Sequence, residues 1–215
     1  MPRNRSLEQY WKEHLSLYIF IGVIFVTGVI FGAVMVSALS LEQKQEMTRY
    51  LSNFFSIVNQ GELNGDATAS FRDTLALHMK WVLIIWLLGM SVIGLPFILI
   101  LDFLKGVLVG FTVGYMAGTL SWKGLLFALV SVVPQNLIVI PVILVCSATA
   151  VSFSIHLVKN RFIQKRGELL EPLIRFSGVT LASGVLLVGV ALFEAHLSPV
   201  MMKWVTPMLI TLGAA

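Results

Sequence analysis

The chain has 215 residues, of which 57% are hydrophobic and 12% are charged. A soluble domain carries about 25% charged residues, and a mean hydropathy of +0.89 does not suit a surface that faces water. The composition therefore excludes a soluble enzyme, a nucleic-acid-binding protein and a disordered chain, and it predicts an all-α, polytopic membrane protein. On so apolar a chain, the net charge of +4 is better explained by basic residues on the cytoplasmic side of a membrane than by binding to an anionic partner. The single cysteine, Cys146, excludes an intrachain disulfide.

Five apolar segments have the length that a membrane-spanning helix requires, about 20 residues. The longest of them, 124–155, is too long for one straight crossing and contains Pro134 beside the polar pair Gln135 and Asn136. We therefore expect a break near 134–136, followed by a full crossing. The predicted bundle has about five helices, over residues 16–39, 81–101, 103–120, 124–155 and 176–198.

The first segment follows basic residues, as a signal peptide does, but its apolar run is about 24 residues against the 7–15 of a signal sequence. We therefore predict an uncleaved first span. Lysine and arginine are concentrated at the N-terminus and between the last two spans, which places the N-terminus in the cytoplasm and, after five crossings, the C-terminus outside. The basic loop 156–175 is then cytoplasmic, and the apolar tail 199–215 lies at the outer surface of the membrane.

The large polar region outside the spans, 40–79, is expected to form an extracytoplasmic helical hairpin. Ser40 and Gln43 match a capping box, in which each side chain bonds the backbone amide of the other residue. The helix that follows is amphipathic, and its apolar face either lies on the membrane or the bundle or docks an extracytoplasmic partner. The candidate partner-contact residues are Tyr50, Phe54, Phe55 and Val58.

Glycine recurs every four residues through the third predicted span, at Gly106, Gly110, Gly114 and Gly118. A continuous stripe without side chains lets another helix backbone approach closely. We expect this stripe to pack helices tightly, either within the bundle or between the copies of a homo-oligomer. A pore lining is the alternative interpretation.

Glu194 is an acidic residue inside the last predicted span, and Pro134, Gln135 and Asn136 fall at a similar depth. A proline inside a helix frees a backbone carbonyl, which a neighbouring side-chain amide can satisfy. We expect Gln135 or Asn136 to meet Glu194. The carboxyl group is then interfacial, structural or part of an ion relay. A small-solute transporter or channel at this position is the alternative function.

Four histidines, His14, His78, His156 and His196, fall near the ends of predicted spans and lack the spacing of metal ligands. They are expected to be interfacial residues. The sequence contains no recognisable nucleophile–base arrangement and no glycine-rich phosphate loop. It therefore predicts no catalytic activity, no cofactor and no metal.

Several stretches are recognisable. They include Ser6–His14, Gly28–Ala33 and the hairpin around Phe54, and Glu194–Pro199 fits the pattern Glu-Ala-x-x-[Ser/Thr]-Pro at every fixed position. Together they resemble the stage II sporulation protein M family of endospore-forming bacteria. The fourth-span motif of the wider family, Pro-His-Gly-x-x-Glu-x-Pro, survives only in its two prolines. Its histidine, glycine and glutamate are replaced here by Gln135, Asn136 and Val139.

The resemblance implies a membrane protein of the septum between mother cell and forespore, acting in engulfment. It implies recruitment of stage II sporulation protein P, an amidase and endopeptidase of the cell wall, and through it of protein D, a lytic transglycosylase. Loss of most of the fourth-span motif places any transport activity of the wider family in doubt for this chain. The predicted function is therefore a non-enzymatic scaffold that localises peptidoglycan hydrolases.

Overall fold

The computed structural model describes the backbone of residues 3–60, 67–159 and 170–210, and the side chains at most positions from Leu15 to Val200. The described chain is helical and contains no strand, which confirms the predicted all-α class. A short 3₁₀ turn, Val36–Ala38, follows the first helix. The helices are α1 (Arg3–Met35), α2 (Leu41–Gln60), α3 (Ala67–Gly89), α4 (Gly94–Ser131), α5 (Val133–Val158) and α6 (Leu170–Ile210).

Four of these helices are long and apolar enough to cross a membrane, over Leu15–Ala38, Gly94–Thr119, Val133–Val158 and Leu170–His196. Their outward surfaces are apolar, since Leu181 and Val185 are each more than 70% exposed. An apolar exterior of this kind is what a lipid environment requires. Inside the bundle, Ile21, Ile85 and Leu187 are fully buried, and the rings of Phe153 and Phe176 stack with their centroids 5.2 Å apart.

The directions of the helices follow from the contacts between them. α1 and α4 run parallel, because Gly28 lies against Phe103 and Gly32 lies further along, against Val107. Because α1 and α4 run in the same direction, the chain must cross back through the bundle between them. α3 makes this crossing and packs alongside α6. Its Trp86 indole donates to Ser177 Oγ at 3.3 Å. With 23 residues, α3 is about 35 Å long, which is comparable to a membrane core.

The turn between the second and third predicted spans lies elsewhere than expected. The prediction placed it at Asp102, between 81–101 and 103–120, but the chain turns at 90–93 and α4 runs unbroken through Asp102. The Ser91 carbonyl accepts from the Gly94 amide at 3.1 Å, and Ser91 Oγ accepts from the Ile93 amide at 3.3 Å. Gly94 is required there, since a Cβ would overlap the carbonyl oxygen of Leu88. The prediction was wrong because the sequence is apolar on both sides of 90–93, so hydropathy alone does not locate the turn.

The fourth predicted span, 124–155, is broken as expected, although the break is at Val132 and not at 134–136. Its beginning belongs to α4, which has no interruption near residue 120. Pro134 lies in the first turn of α5, where its missing amide costs no helical hydrogen bond. Asn136 Nδ2 donates to the Val132 carbonyl at 2.8 Å, and the backbone amide of Asn136 donates to the same carbonyl at 3.3 Å.

A straight α4 cannot explain its contact with α5. Residues 102 to 132 rise about 45 Å along a helix, whereas residues 132 to 147 rise only about 22 Å. Nevertheless Ser147 Oγ donates to Asp102 Oδ1 at 2.8 Å. Two straight helices that diverge from Val132 would hold these side chains far apart, so α4 bends between Asp102 and Ser131.

The last helix is longer than the predicted span 176–198. α6 has 41 residues and continues through Pro199 to Ile210, a length of about 60 Å. Because a membrane core is about 30 Å thick, the end of α6 extends beyond it or bends. The predicted tail 199–215 therefore begins as helix, and residues 211–215 lie outside the described residues, as does half of the predicted basic loop 156–175, residues 160–169.

Candidate functional site

The glycine stripe of α4 is packed against α1 of the same chain. A Cβ at Gly106 or Gly110 would overlap the backbone oxygen of Phe25 or Val29, and one at Gly114 would lie 2.9 Å from Ala33 Cα. Glycine is also needed on α1, where Gly28 and Gly32 face the backbone of α4 in the same way. Gly118 lies at the looser end, 3.9 Å from Val36 Cγ1. Both helices therefore approach each other backbone to backbone, and the stripe is occupied within the chain.

Glu194 lies inside the bundle and faces α3. Its Oε2 atom is 3.4 Å from Nε2 of His78, whose side chain is only 6% exposed, against 23% for Glu194. Glu194 therefore pairs with His78, and the predicted pairing with Asn136 is wrong, whereas the one with Gln135 stays a prediction. Asn136 bonds its own helix end instead, and His78, expected at the membrane surface, is buried. These partners are 116 residues apart in the chain, and no sequence motif links them.

Two more charged residues missed by the sequence analysis lie in α4. Asp102 is 1% exposed, and its Oδ1 accepts from Ser147 while its Oδ2 has no protein partner among the described residues. Lys105, one turn further on, places Nζ 5.3 Å from the centre of the Trp81 ring, a cation–π contact. An acid and a base three residues apart inside an otherwise apolar segment were the signal in the sequence for this polar part of the core.

Hydrogen bonds fix the amphipathic helix α2 in each of its first two turns. The predicted capping box is present, with the Ser40 amide donating to Gln43 Oε1 at 3.0 Å and the Gln43 amide to Ser40 Oγ at 3.3 Å. One turn later, the buried Tyr115 of α4 donates from its hydroxyl to the Lys44 carbonyl at 3.1 Å, and Thr48 Oγ1 lies 3.0 Å from the same hydroxyl. α2 is therefore attached to α4 beside the last part of the glycine stripe, between Gly114 and Gly118.

Of the four candidate contact residues on α2, the structure describes one side chain. Tyr50 is 65% exposed. The side chains of Phe54, Phe55 and Val58 lie outside the described residues, although their backbone belongs to α2. The first half of α2 thus presents an aromatic side chain to its surroundings while Tyr115 holds its backbone.

The remaining histidines occupy different settings. His196 is exposed, with Nδ1 3.0 Å from the Leu192 carbonyl of its own helix. His156 lines a cavity at the other end of the bundle, and the side chain of His14 is not among those described. In the described part of the chain, no group of three histidine, cysteine, aspartate or glutamate side chains is placed to hold a metal ion.

Comparison with known proteins identifies the family. A model of the stage II sporulation protein M family matches residues 21–199, which is most of the chain and includes the stretch Glu194–Pro199. No curated protein and no solved structure matches the chain. The matched region contains the glycine contact between α1 and α4, helix α2 and the His78–Glu194 pair. The chain therefore belongs to the stage II sporulation protein M family and is a multi-pass membrane protein of sporulation.

Proposed function

We propose that the protein is a non-enzymatic membrane scaffold that holds peptidoglycan hydrolases at the septal membrane during engulfment. Its proposed partners are stage II sporulation protein P and, through it, protein D. Membership of the sporulation family supports this role. The single observation that carries it is the attachment of α2, a capped amphipathic helix held by Tyr115 at one end of an apolar bundle.

The proposed topology places α2 on the wall side of the membrane. α3 supplies a fifth crossing in addition to the four apolar helices. It runs antiparallel to α6, because His78 contacts Glu194 while the later Trp86 contacts the earlier Ser177. The end of the bundle that carries Lys159 and Arg175 then faces the cytoplasm, in agreement with the excess of basic residues there. With the N-terminus inside, α2 and the end of α6 project towards the peptidoglycan.

The proposed mechanism requires no chemistry from this chain. A hydrolase bound to α2 stays within a short distance of its polymeric substrate, and its effective concentration at the septum rises without any change in its active site. A firm attachment of α2 matters because a helix free to rotate would lose binding free energy in ordering its contact residues. The hydrogen bonds of Tyr115 to Lys44 and Thr48 supply that attachment.

Replacing both Phe54 and Phe55 with serine is expected to release stage II sporulation protein P from the membrane of sporulating cells. Aromatic anchors dominate the energetics of protein interfaces, and losing two of them costs at least about 2 kcal/mol each at a hot spot. The measurement is the membrane-bound fraction of the hydrolase after cell fractionation. The matched control is Ile93→Ser, an exposed apolar residue at the turn between α3 and α4. Normal hydrolase retention in a correctly inserted Phe54/Phe55 variant would contradict docking on α2.

A second candidate function, ion or solute translocation, has one observation in its favour. Asp102, Lys105, His78 and Glu194 place four ionisable side chains within the bundle, and such residues in membrane proteins often mark ion or proton paths. In that function Glu194 would act together with His78 of α3. Loss of a measurable flux in Glu194→Gln, with hydrolase retention intact, would favour this function over the scaffold.

A further inference from the structure

A cavity of about 510 Å³ lies at the end of the bundle opposite to α2. It is formed by α1, α5 and α6, close to where α5 ends and α6 begins. On α5 its lining extends from Ala148 to Lys159, a rise of about 16 Å. That depth is about half of a membrane core of about 30 Å. The cavity therefore extends from the membrane surface into one leaflet.

The chemistry of the lining changes with depth. At the mouth lie Lys159 from the end of α5 and Arg175 from the second turn of α6, with one acidic residue, Glu171. Further in, the apolar part of the wall is formed by Leu17 of α1 and by the stacked rings of Phe153 and Phe176. Tyr18, Thr149 and Ser152 add hydroxyl groups to the same wall. The mouth thus has an excess of positive charge, and the interior combines apolar side chains with uncharged hydroxyl groups.

We propose that this cavity binds one anionic glycerophospholipid, with its phosphate at the mouth and the upper part of an acyl chain against the inner wall. The basic mouth of the cavity matches the phosphate of such a lipid, and the inner wall matches its acyl chain. A free anion would gain nothing from the apolar wall, and an uncharged acyl chain would gain nothing from Lys159 and Arg175. Basic pockets between membrane helices are an established way to bind anionic headgroups.

The site is independent of the proposed scaffold role, because it lies at the opposite end of the bundle from α2. It would tie the bundle to membrane regions rich in anionic lipid. Loss of hydrolase binding through α2 and loss of lipid binding at this cavity are therefore separate outcomes.

The test uses the full chain in nanodiscs that contain phosphatidylcholine and phosphatidylglycerol, followed by native mass spectrometry of the released protein. We expect one phosphatidylglycerol molecule to be retained in preference to phosphatidylcholine. Each basic residue near an anionic headgroup contributes about a fivefold preference, so Lys159→Gln with Arg175→Gln should lower retention about 25-fold. Lys159→Gln alone changes an exposed residue at the end of α5 and should lower retention about fivefold.

The matched control is Lys80→Gln with Arg49→Gln, which removes the same charge from exposed positions of α3 and α2. This control should retain phosphatidylglycerol as the wild type does. Equal retention of both lipids by the wild type, or the same loss in the control as in the cavity variants, would overturn the proposal. Displacement of the lipid by millimolar inorganic phosphate would overturn it as well, since the occupant would then be a free anion.

Discussion

Replacing Gly110 with alanine is expected to lower the free energy of unfolding by about 2 kcal/mol, within the range for overpacking a tight contact. The added Cβ would overlap the carbonyl oxygen of Val29, which is part of a helix backbone and cannot rotate away. α1 and α4 would have to separate along their length, with loss of the neighbouring contacts of Gly106 and Gly114. The measurement is unfolding of the detergent-solubilised protein by heat or by titration with a denaturing detergent.

The control for this change is Gly189→Ala on α6, where nothing lies within 4 Å of the added Cβ. Because both changes add one methyl group to a glycine in a membrane helix, they differ only in what the methyl group meets. The control should unfold as the wild type does or be slightly more stable, since alanine favours a helix over glycine. Equal stability of the two variants would show that α1 and α4 are not in backbone contact at Gly110.

Removing either member of the His78–Glu194 pair is expected to destabilise the bundle, and removing both should cost less than the sum. Interhelical hydrogen bonds in membrane proteins contribute about 1 kcal/mol, and the coupling free energy of the pair should have that size. The variants are His78→Ala, Glu194→Ala and the double replacement, measured by unfolding in detergent. The contact of 3.4 Å between the two side chains is the basis for this expectation.

A second cycle separates this pairing from the one that the sequence suggested. Asn136→Ala combined with Glu194→Ala should be additive, because Asn136 donates to the Val132 carbonyl and not to Glu194. Coupling of Glu194 to Asn136 in place of His78 would mean that α6 is rotated, so that Glu194 faces α5 and not α3.

Features that depend on nearby residues were predictable from the sequence. The capping box links residues three apart, and the spacing of Ser40 and Gln43 was sufficient to predict both hydrogen bonds. The glycine stripe was equally visible, since helical geometry places every fourth residue on nearly one face. The spacing of the glycines does not indicate which helix packs against the stripe. The structure identifies this helix as α1 through the contacts of Gly28 and Gly32.

Features that depend on distant pairing were not predictable in the same way. Asp102 lies between the predicted spans 81–101 and 103–120 and belongs to neither. In the folded bundle, Ser147 of α5 offers a hydrogen bond, and the carboxyl group stays inside a continuous helix. Ser91 and Gly94 are residues typical of a turn and lie at the correct position. The turn nevertheless depends on backbone hydrogen bonds at 90–93, and the apolar sequence there is equally compatible with a helix that continues through these residues.

The most direct test of the scaffold is photo-crosslinking from position 50 in sporulating cells. A photoreactive amino acid in place of Tyr50, which is 65% exposed on α2, should crosslink to a peptidoglycan hydrolase. The same probe in place of Leu181, which is 72% exposed on an apolar face of α6, should crosslink to lipid and not to the hydrolase. Crosslinking of position 50 to cytoplasmic proteins, or the same products from both positions, would contradict a docking helix on the wall side of the membrane.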